Sequence, residues 1–213
     1  MKTQNKLYKY GRTFHFDFSE GKGSDDKVLH SLDRFKDQDV VITLKLDGEN
    51  TTIYNDTFHA RSLDSRHNES RNWIAKFSSD LGYKIPKDFR ICGENLFAKH
   101  SIYYDNLESY FYGFSVWNKD ICLSWDETIL FFNNLEIPTV KELYRGKFDL
   151  KIVNDLIKSF DTVNQEGFVC RLSSQFKYDD FSNCMVKWVR KNHIQTTKHW
   201  MNEQIKPNKL KGF

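Results

Sequence analysis

Short runs of β-branched and aromatic residues closed by turn signals recur along this chain more often than helical periodicity does, which limits the folds open to it. Asp39 to Leu46 alternates and is rich in Val, Ile and Thr, and reads as a strand stopping at Asp47-Gly48. Thr51 to Tyr54 and Phe58 to Ser62 flank Asn55-Asp56 as a hairpin. Asn68 to Leu81 carries Trp73, Ile74, Phe77 and Leu81 at helical spacing, with Gly82 as a stop. Phe89 to Asn95 returns to strand character. Tyr110 to Trp117 and Ile121 to Trp125 form a second hairpin, after which Asp126 can cap a helix reaching Asn134. A helix over Asp149 to Phe160, strands over Gly167 to Leu172 and Cys184 to Val189, and a helix over Gln195 to Gln204 complete the set. Strand and helix do not alternate as a parallel doubly wound sheet requires. The expectation is α+β, with mainly antiparallel sheets flanking a nucleotide-sized cleft.

With 213 residues, three prolines and no low-complexity run or repeat, the chain reads as one domain over residues 1–213, ending in a short basic segment. No stretch has the length and apolarity of a signal peptide or a membrane span, so the expectation is an intracellular, cytoplasmic protein without membrane attachment. Cys92, Cys122, Cys170 and Cys184 lack metal-ligand spacing and read as small buried hydrophobes. The net charge of +3 is unevenly spread. Lys187, Arg190, Lys191, Lys198, Lys206, Lys209 and Lys211 face one acid, Glu203, between Lys187 and Lys211, interleaved with Trp188, His193, His199 and Trp200. Such a segment suits phosphates and bases, and Arg190, Lys191 and Lys198 are the candidate nucleic-acid contacts.

Lys45-Leu46-Asp47-Gly48-Glu49-Asn50 places a lysine at a strand end. A lysine amine attacks phosphorus only when deprotonated, which a cation-flanked or desolvated cleft favours. Gly48 permits a sharp turn after it, and Asp47 is a candidate Mg²⁺ ligand. Lys-x-Asp-Gly arises by chance in about one chain in twenty of this length, so its weight depends on the motifs downstream of it and on their order.

Those downstream motifs, taken with the lysine segment, resemble the covalent nucleotidyltransferase superfamily of ATP-dependent ligases and capping enzymes, and within it the phage-type nick-sealing RNA ligases, over most of the chain. Lys45 to Asn50 matches motif I. Ala60-Arg61-Ser62 is similar to the basic element that touches the nucleotide, Gly93-Glu94-Asn95-Leu96 to motif III, and Tyr110 to Trp117 to the aromatic strand that stacks on adenine. Glu166-Gly167-Phe168-Val169 fits motif IV and Met185 to Lys191 resembles motif V. The resemblance implies a nucleotidyltransferase (adenylation) domain, here without an appended OB-fold. It also implies Lys45 as nucleophile with Lys187 as its catalytic partner, and Leu46, Asn50, Arg61, Glu94 and Phe114 around the nucleotide with both lysines. Asp47 and Glu166 are the implied metal residues.

The chemistry it implies is ATP-dependent RNA ligation with Mg²⁺, or Mn²⁺ in its place, through a lysyl-AMP intermediate. AMP passes to an RNA 5′-phosphate, on a nicked duplex or a single-stranded end, and a 3′-hydroxyl displaces it. Val189 stands where motif V usually has a second lysine, leaving its charge to Arg190, Lys191 or elsewhere. The chain ends soon after Lys191, as in a minimal ligase or one whose partner protein supplies a further domain. A DNA ligase, a GTP-using capping enzyme and an RNA-binding module with reduced chemistry are the alternatives. By alternation alone Phe114 reads as core, and Glu94 and Glu166 as ordinary strand carboxylates.

Overall fold

The computed structural model describes residues 6–64, 68–191 and 205–212. The expected helix over 195–204, with His193, Lys198, His199 and Trp200, falls outside them. In chain order the strands are β1 (Phe14–Phe16), β2 (Val28–Leu29), β3 (Asp39–Lys45), β4 (Glu49–Ile53), β5 (Phe58–Ala60), β6 (Phe89–Asn95), β7 (Phe111–Asn118), β8 (Ile121–Cys122), β9 (Glu142–Lys147), β10 (Gly167–Leu172), β11 (Phe176–Lys177) and β12 (Met185–Val189). The helices are α1 (Asn72–Leu81), α2 (Trp125–Asn134), α3 (Leu150–Lys158) and the short α4 (Phe181–Cys184).

Two six-stranded sheets result, in the orders β2-β1-β12-β10-β3-β9 and β11-β8-β7-β6-β4-β5. Pairing is antiparallel except where β1 joins β12 and β2 in parallel. The main core contains Val40 and Ile42 of the first sheet with Cys92 and Trp117 of the second, and gathers Phe168, Cys170, Val186 and Trp188 with Val153 of α3. A second core joins Ile74 of α1 and Phe132 of α2 to Ile53, Ile91 and Val116. These helices form because each has one apolar stripe to bury. Among the described residues no helix is long and apolar enough to cross a membrane.

Two local expectations are corrected and a third is extended. α1 does end at Leu81 with Gly82 as its C-cap, but Gly82 keeps right-handed torsion angles, so the chain continues into a 3₁₀ turn over Gly82–Lys84 and leaves it at Ile85, which is extended (φ −87°, ψ 119°), as a residue preceding a proline, here Pro86, is required to be. Ser124, not Asp126, caps α2, in a capping box with Glu127. Gly48 does not take a left-handed conformation, since the positive-φ glycines are Gly146 and Gly212. It is glycine because β6 passes so close that a Cβ there would lie 2.5 Å from the Asn95 carbonyl oxygen and 2.7 Å from Leu96 Cδ2. Gly48→Ala must therefore push the lysine turn off β6. The expected outcome is destabilisation of about 1–3 kcal/mol, the usual range for overpacking, measured by denaturant unfolding.

Candidate active site

The register of the first sheet assembles the site. Thr43, Val169 and Lys187 stand opposite one another across β3, β10 and β12, and His15 of β1 extends that row. Two residues along, and so on the same face, the row is Lys45, Gly167 and Val189, with Glu166 one residue before Gly167. Opposite residues in paired strands share a face, so Lys45 and Lys187 point to the same side. Gly167 is required between them: a Cβ there would lie 2.1 Å from the Trp188 carbonyl oxygen.

That face, with β4 to β7 of the second sheet, walls a pocket of about 560 Å³. Lys45, Leu46, Asn50, Arg61, Glu94, Phe114 and Lys187 all line it. Lys45 Nζ donates to Glu166 Oε2 at 2.6 Å, and Glu166 is 7% exposed. Burial lowers the Lys45 pKa, but Glu166, Glu94 and Asp47 more than offset this and hold the ammonium above the ordinary lysine value. Burial pushes the Glu94 carboxyl up to about 8 against the pull of Lys45. It raises Glu166 as well, again against Lys45. Lys187 is pushed down to about 8 by burial and by the Lys45 charge, with Asp26, 3.9 Å away, restraining the fall. Glu94 Oε1 accepts from the Gly48 amide at 3.1 Å, joining β6 to the turn that follows Lys45.

Asn50 Oδ1 is buried with no hydrogen-bond partner, in the lining of a pocket that a ligand donor can enter. Phe114 makes an edge contact with Tyr10, ring centroids 5.3 Å apart. Asp47 lies outside the lining: its Oδ2 accepts from the amides of Ser101 and Ile102, both at 2.7 Å.

Arg190 is not presented to the pocket or to a nucleic acid. It is 4% exposed, and its Nε donates to the Gln165 carbonyl at 3.0 Å while its amide donates to Glu166 O, so it braces the segment that carries Glu166. Lys191 is exposed. Val189 is 1% exposed, its amide bonded to Ser19 Oγ. Arg12 and Arg61 are both in the lining and, with Lys187, make that part of the pocket positive. Arg12, Asp26 and Arg71 are pocket residues that sequence reasoning missed. Arg71, at the start of α1, forks onto Glu49 through Nε (2.8 Å) and Nη2, fixing the far side of motif I. The helical pattern around Arg71 was legible but its partner was not, and Arg12 and Asp26 belong to no motif.

The fold is shared with solved ligase structures. A putative ATP-dependent DNA ligase from Aquifex aeolicus superposes with a TM-score of 0.56 at 18% identity, over 86% of this chain and 50% of that one. Two forms of an archaeal ATP-dependent RNA ligase give 0.54 and 0.52, each at 17% identity, over 76% and 75% of this chain and 45% and 44% of theirs. The chain thus spans about half the length of these structures. Comparison with curated proteins gives no match. The family model described as RNA ligase matches residues 38–189, from the start of the strand that carries Lys45 to the end of the strand that carries Lys187. On that match, which spans both lysines and Glu166 and most of the chain, this protein belongs to the RNA ligase family.

Proposed function

We propose that this chain is the nucleotidyltransferase domain of an ATP-dependent RNA ligase. It would take AMP onto Lys45, pass it to an RNA 5′-phosphate and join that end to a 3′-hydroxyl. The observation that carries this is Lys45, on the wall of a pocket between two sheets, ringed by Glu166, Glu94 and Asp47 with Lys187 on the same face.

ATP enters with adenine toward Phe114 and Asn50, whose unpartnered oxygen accepts from the exocyclic amine, and with Glu94 beside the ribose. Arg12, Arg61 and Lys187 meet the phosphates. Lys45 must first lose a proton, and the acceptor within reach is Glu166 Oε2. The freed amine then attacks the α-phosphorus: a nitrogen–phosphorus bond forms, the bond to the bridging oxygen breaks, and pyrophosphate leaves with the electron pair. Lys187 offsets the charge gathering on the phosphate oxygens.

For the metal, the donor set decides what fits. Among the described residues no group of three or more His, Cys, Asp or Glu side chains is arranged as a cage. The buried carboxylate of Glu166 fits a Mg²⁺ that would be carried mainly by phosphate oxygens and water and met through its water shell, whereas Asp47, outside the lining with Oδ2 taken by two backbone amides, would hold the turn rather than the ion. Bound there, the ion would lower the negative charge on the triphosphate and orient it.

Incubation with α-labelled ATP, or with α-labelled GTP, and Mg²⁺ tests the reading by denaturing electrophoresis. Acid-labile label from ATP alone is expected, and sealing of a nicked RNA should accompany it. No label from either nucleotide on a folded chain would overturn adenylyl transfer and leave RNA binding.

The pocket also sets a pH dependence. Lys187 and Glu94 both titrate near 8 in the free protein, so raising the pH through 8 removes one positive charge and adds one negative one beside the triphosphate site. The kcat/KM for ATP should fall on the alkaline side of 8. Lys187→Arg, whose guanidinium keeps its proton, should flatten that limb, and Glu94→Gln should do so independently. An alkaline limb unchanged in both variants would remove these two groups as its cause.

A further inference from the structure

The 205–212 segment packs along the loop between β6 and β7 (residues 96–110). Asn208 is 1% exposed and uses every polar group it has. Its amide donates to Phe97 O (2.9 Å) and its Nδ2 to Leu96 O (2.7 Å), while its Oδ1 accepts from the Tyr104 amide (2.9 Å) and its carbonyl from Tyr110 Oη (3.0 Å). Lys209 N donates to Tyr104 O, and the Lys99 and Leu107 amides donate to Lys206 O and Lys209 O. Bridges pair Ala98 with Pro207 and Leu107 with Leu210.

The loop so held is the one that grips motif I. Tyr104 Oη accepts from the Asp47 amide at 3.0 Å, and Asp47 Oδ2 takes the amides of Ser101 and Ile102. A continuous chain of hydrogen bonds therefore runs from Asn208 through Tyr104 to Asp47, two residues after Lys45. We propose that the 205–212 segment is a clasp on the nucleophile turn: Asn208 fixes Tyr104, Tyr104 fixes Asp47, and Asp47 sets the position from which Lys45 reaches into the pocket. Asn208 and Tyr104 are positioning residues, since neither lines the pocket.

The physical case is that a buried side-chain amide hydrogen-bonded through both its nitrogen and its oxygen is costly to lose, and that reactive geometry tolerates little displacement. The role in catalysis rests on the reading of Lys45 as nucleophile. The mechanical coupling does not.

The test uses the whole chain, with Asn208→Ala and the gentler Tyr104→Phe, which removes one oxygen atom. Amide hydrogen exchange over residues 46–50 and 96–107 should speed up in both variants, while exchange over α1 and α3 stays at the wild-type rate. The single-turnover rate of Lys45 labelling at saturating ATP should fall about tenfold, the order expected when a buried donor loses its acceptor, with the half-saturating ATP concentration unchanged. Exchange over 46–50 that stays at the wild-type rate in both variants would overturn the clasp, as would a rise spread equally over α1 and α3. If the wild-type chain takes no label, the ligase reading fails and the exchange comparison still decides the clasp.

Discussion

Lys45→Ala takes no label from α-labelled ATP under conditions in which the wild-type chain is labelled: that is the largest effect expected of any single change here. No other amine replaces it. Lys187 lies two residues along the sheet from the Lys45 row and beside Asp26, and the guanidinium groups of Arg12 and Arg61 are not nucleophiles of this kind. The same substitution carries an internal control that does not depend on activity. Lys45 is the cation facing Glu166, Glu94 and Asp47, and both glutamates already have raised pKa values because burial disfavours their charge. Removing Lys45 raises them further. A carboxyl whose folded pKa exceeds its unfolded value binds more protons in the native state, so stability falls as pH climbs from the unfolded value toward the folded one. The Tm deficit of Lys45→Ala relative to wild type should therefore be small near pH 5 and larger near pH 8, by thermal melting across that range. An adduct that survives in Lys45→Ala would end the nucleophile assignment. A Tm deficit independent of pH would show that the carboxylate cluster does not lean on this lysine.

The strands that carry Lys45, Glu94, Phe114 and Lys187 were legible because each is a local pattern: β-branched or aromatic residues ending at a turn. Their convergence on one pocket comes from sheet register, which local pattern does not contain, and here motif order stood in for it. What escaped was of two kinds. β1, β2 and β11 are two or three residues long, too short for any alternation to show, and β9 is a charged edge strand reading Glu-Leu-Tyr-Arg-Gly-Lys, as edges that avoid mispairing tend to be. The other kind is long-range. Arg12 and Asp26 arrive from the amino-terminal segment, and Asn208 closes on residues about a hundred positions earlier, at Leu96 and Tyr104. Gly48 shows a further limit: glycine was read there as permitting a sharp turn, but what requires it is the approach of β6 and not its own torsion angles. Arg190 shows the converse, since its position in a basic run says nothing of a side chain that turns inward to Gln165.

Glu166→Gln has the second largest expected effect, because one carboxylate serves two opposed demands. In the free protein it stabilises the protonated form of Lys45 at 2.6 Å, a form in which the amine cannot attack. At the reaction it is the proton acceptor in reach, and under the proposed function it faces the water shell of the metal. Glutamine keeps the shape and loses the charge. Lys45 then gives up its proton more readily, which alone would speed attack, yet the acceptor and the metal-facing charge are both gone. General base catalysis is worth about 10²–10⁴ in rate, whereas the gain from a lower lysine pKa is limited to the part of the shift that Glu166 causes, since Glu94 and Asp47 still favour the ammonium. Loss should win: label transfer slower by about a hundredfold or more at pH 7, with the deficit narrowing as pH rises, because hydroxide then deprotonates a lysine no longer held by Glu166. Half-saturation for Mg²⁺ should also move to higher concentration. Single-turnover labelling across pH and Mg²⁺ concentration measures all three. A rate deficit that stays constant with pH, together with wild-type Mg²⁺ dependence, would place Glu166 outside both the proton transfer and the metal site. It would then be only the buried counter-charge that the 2.6 Å contact requires.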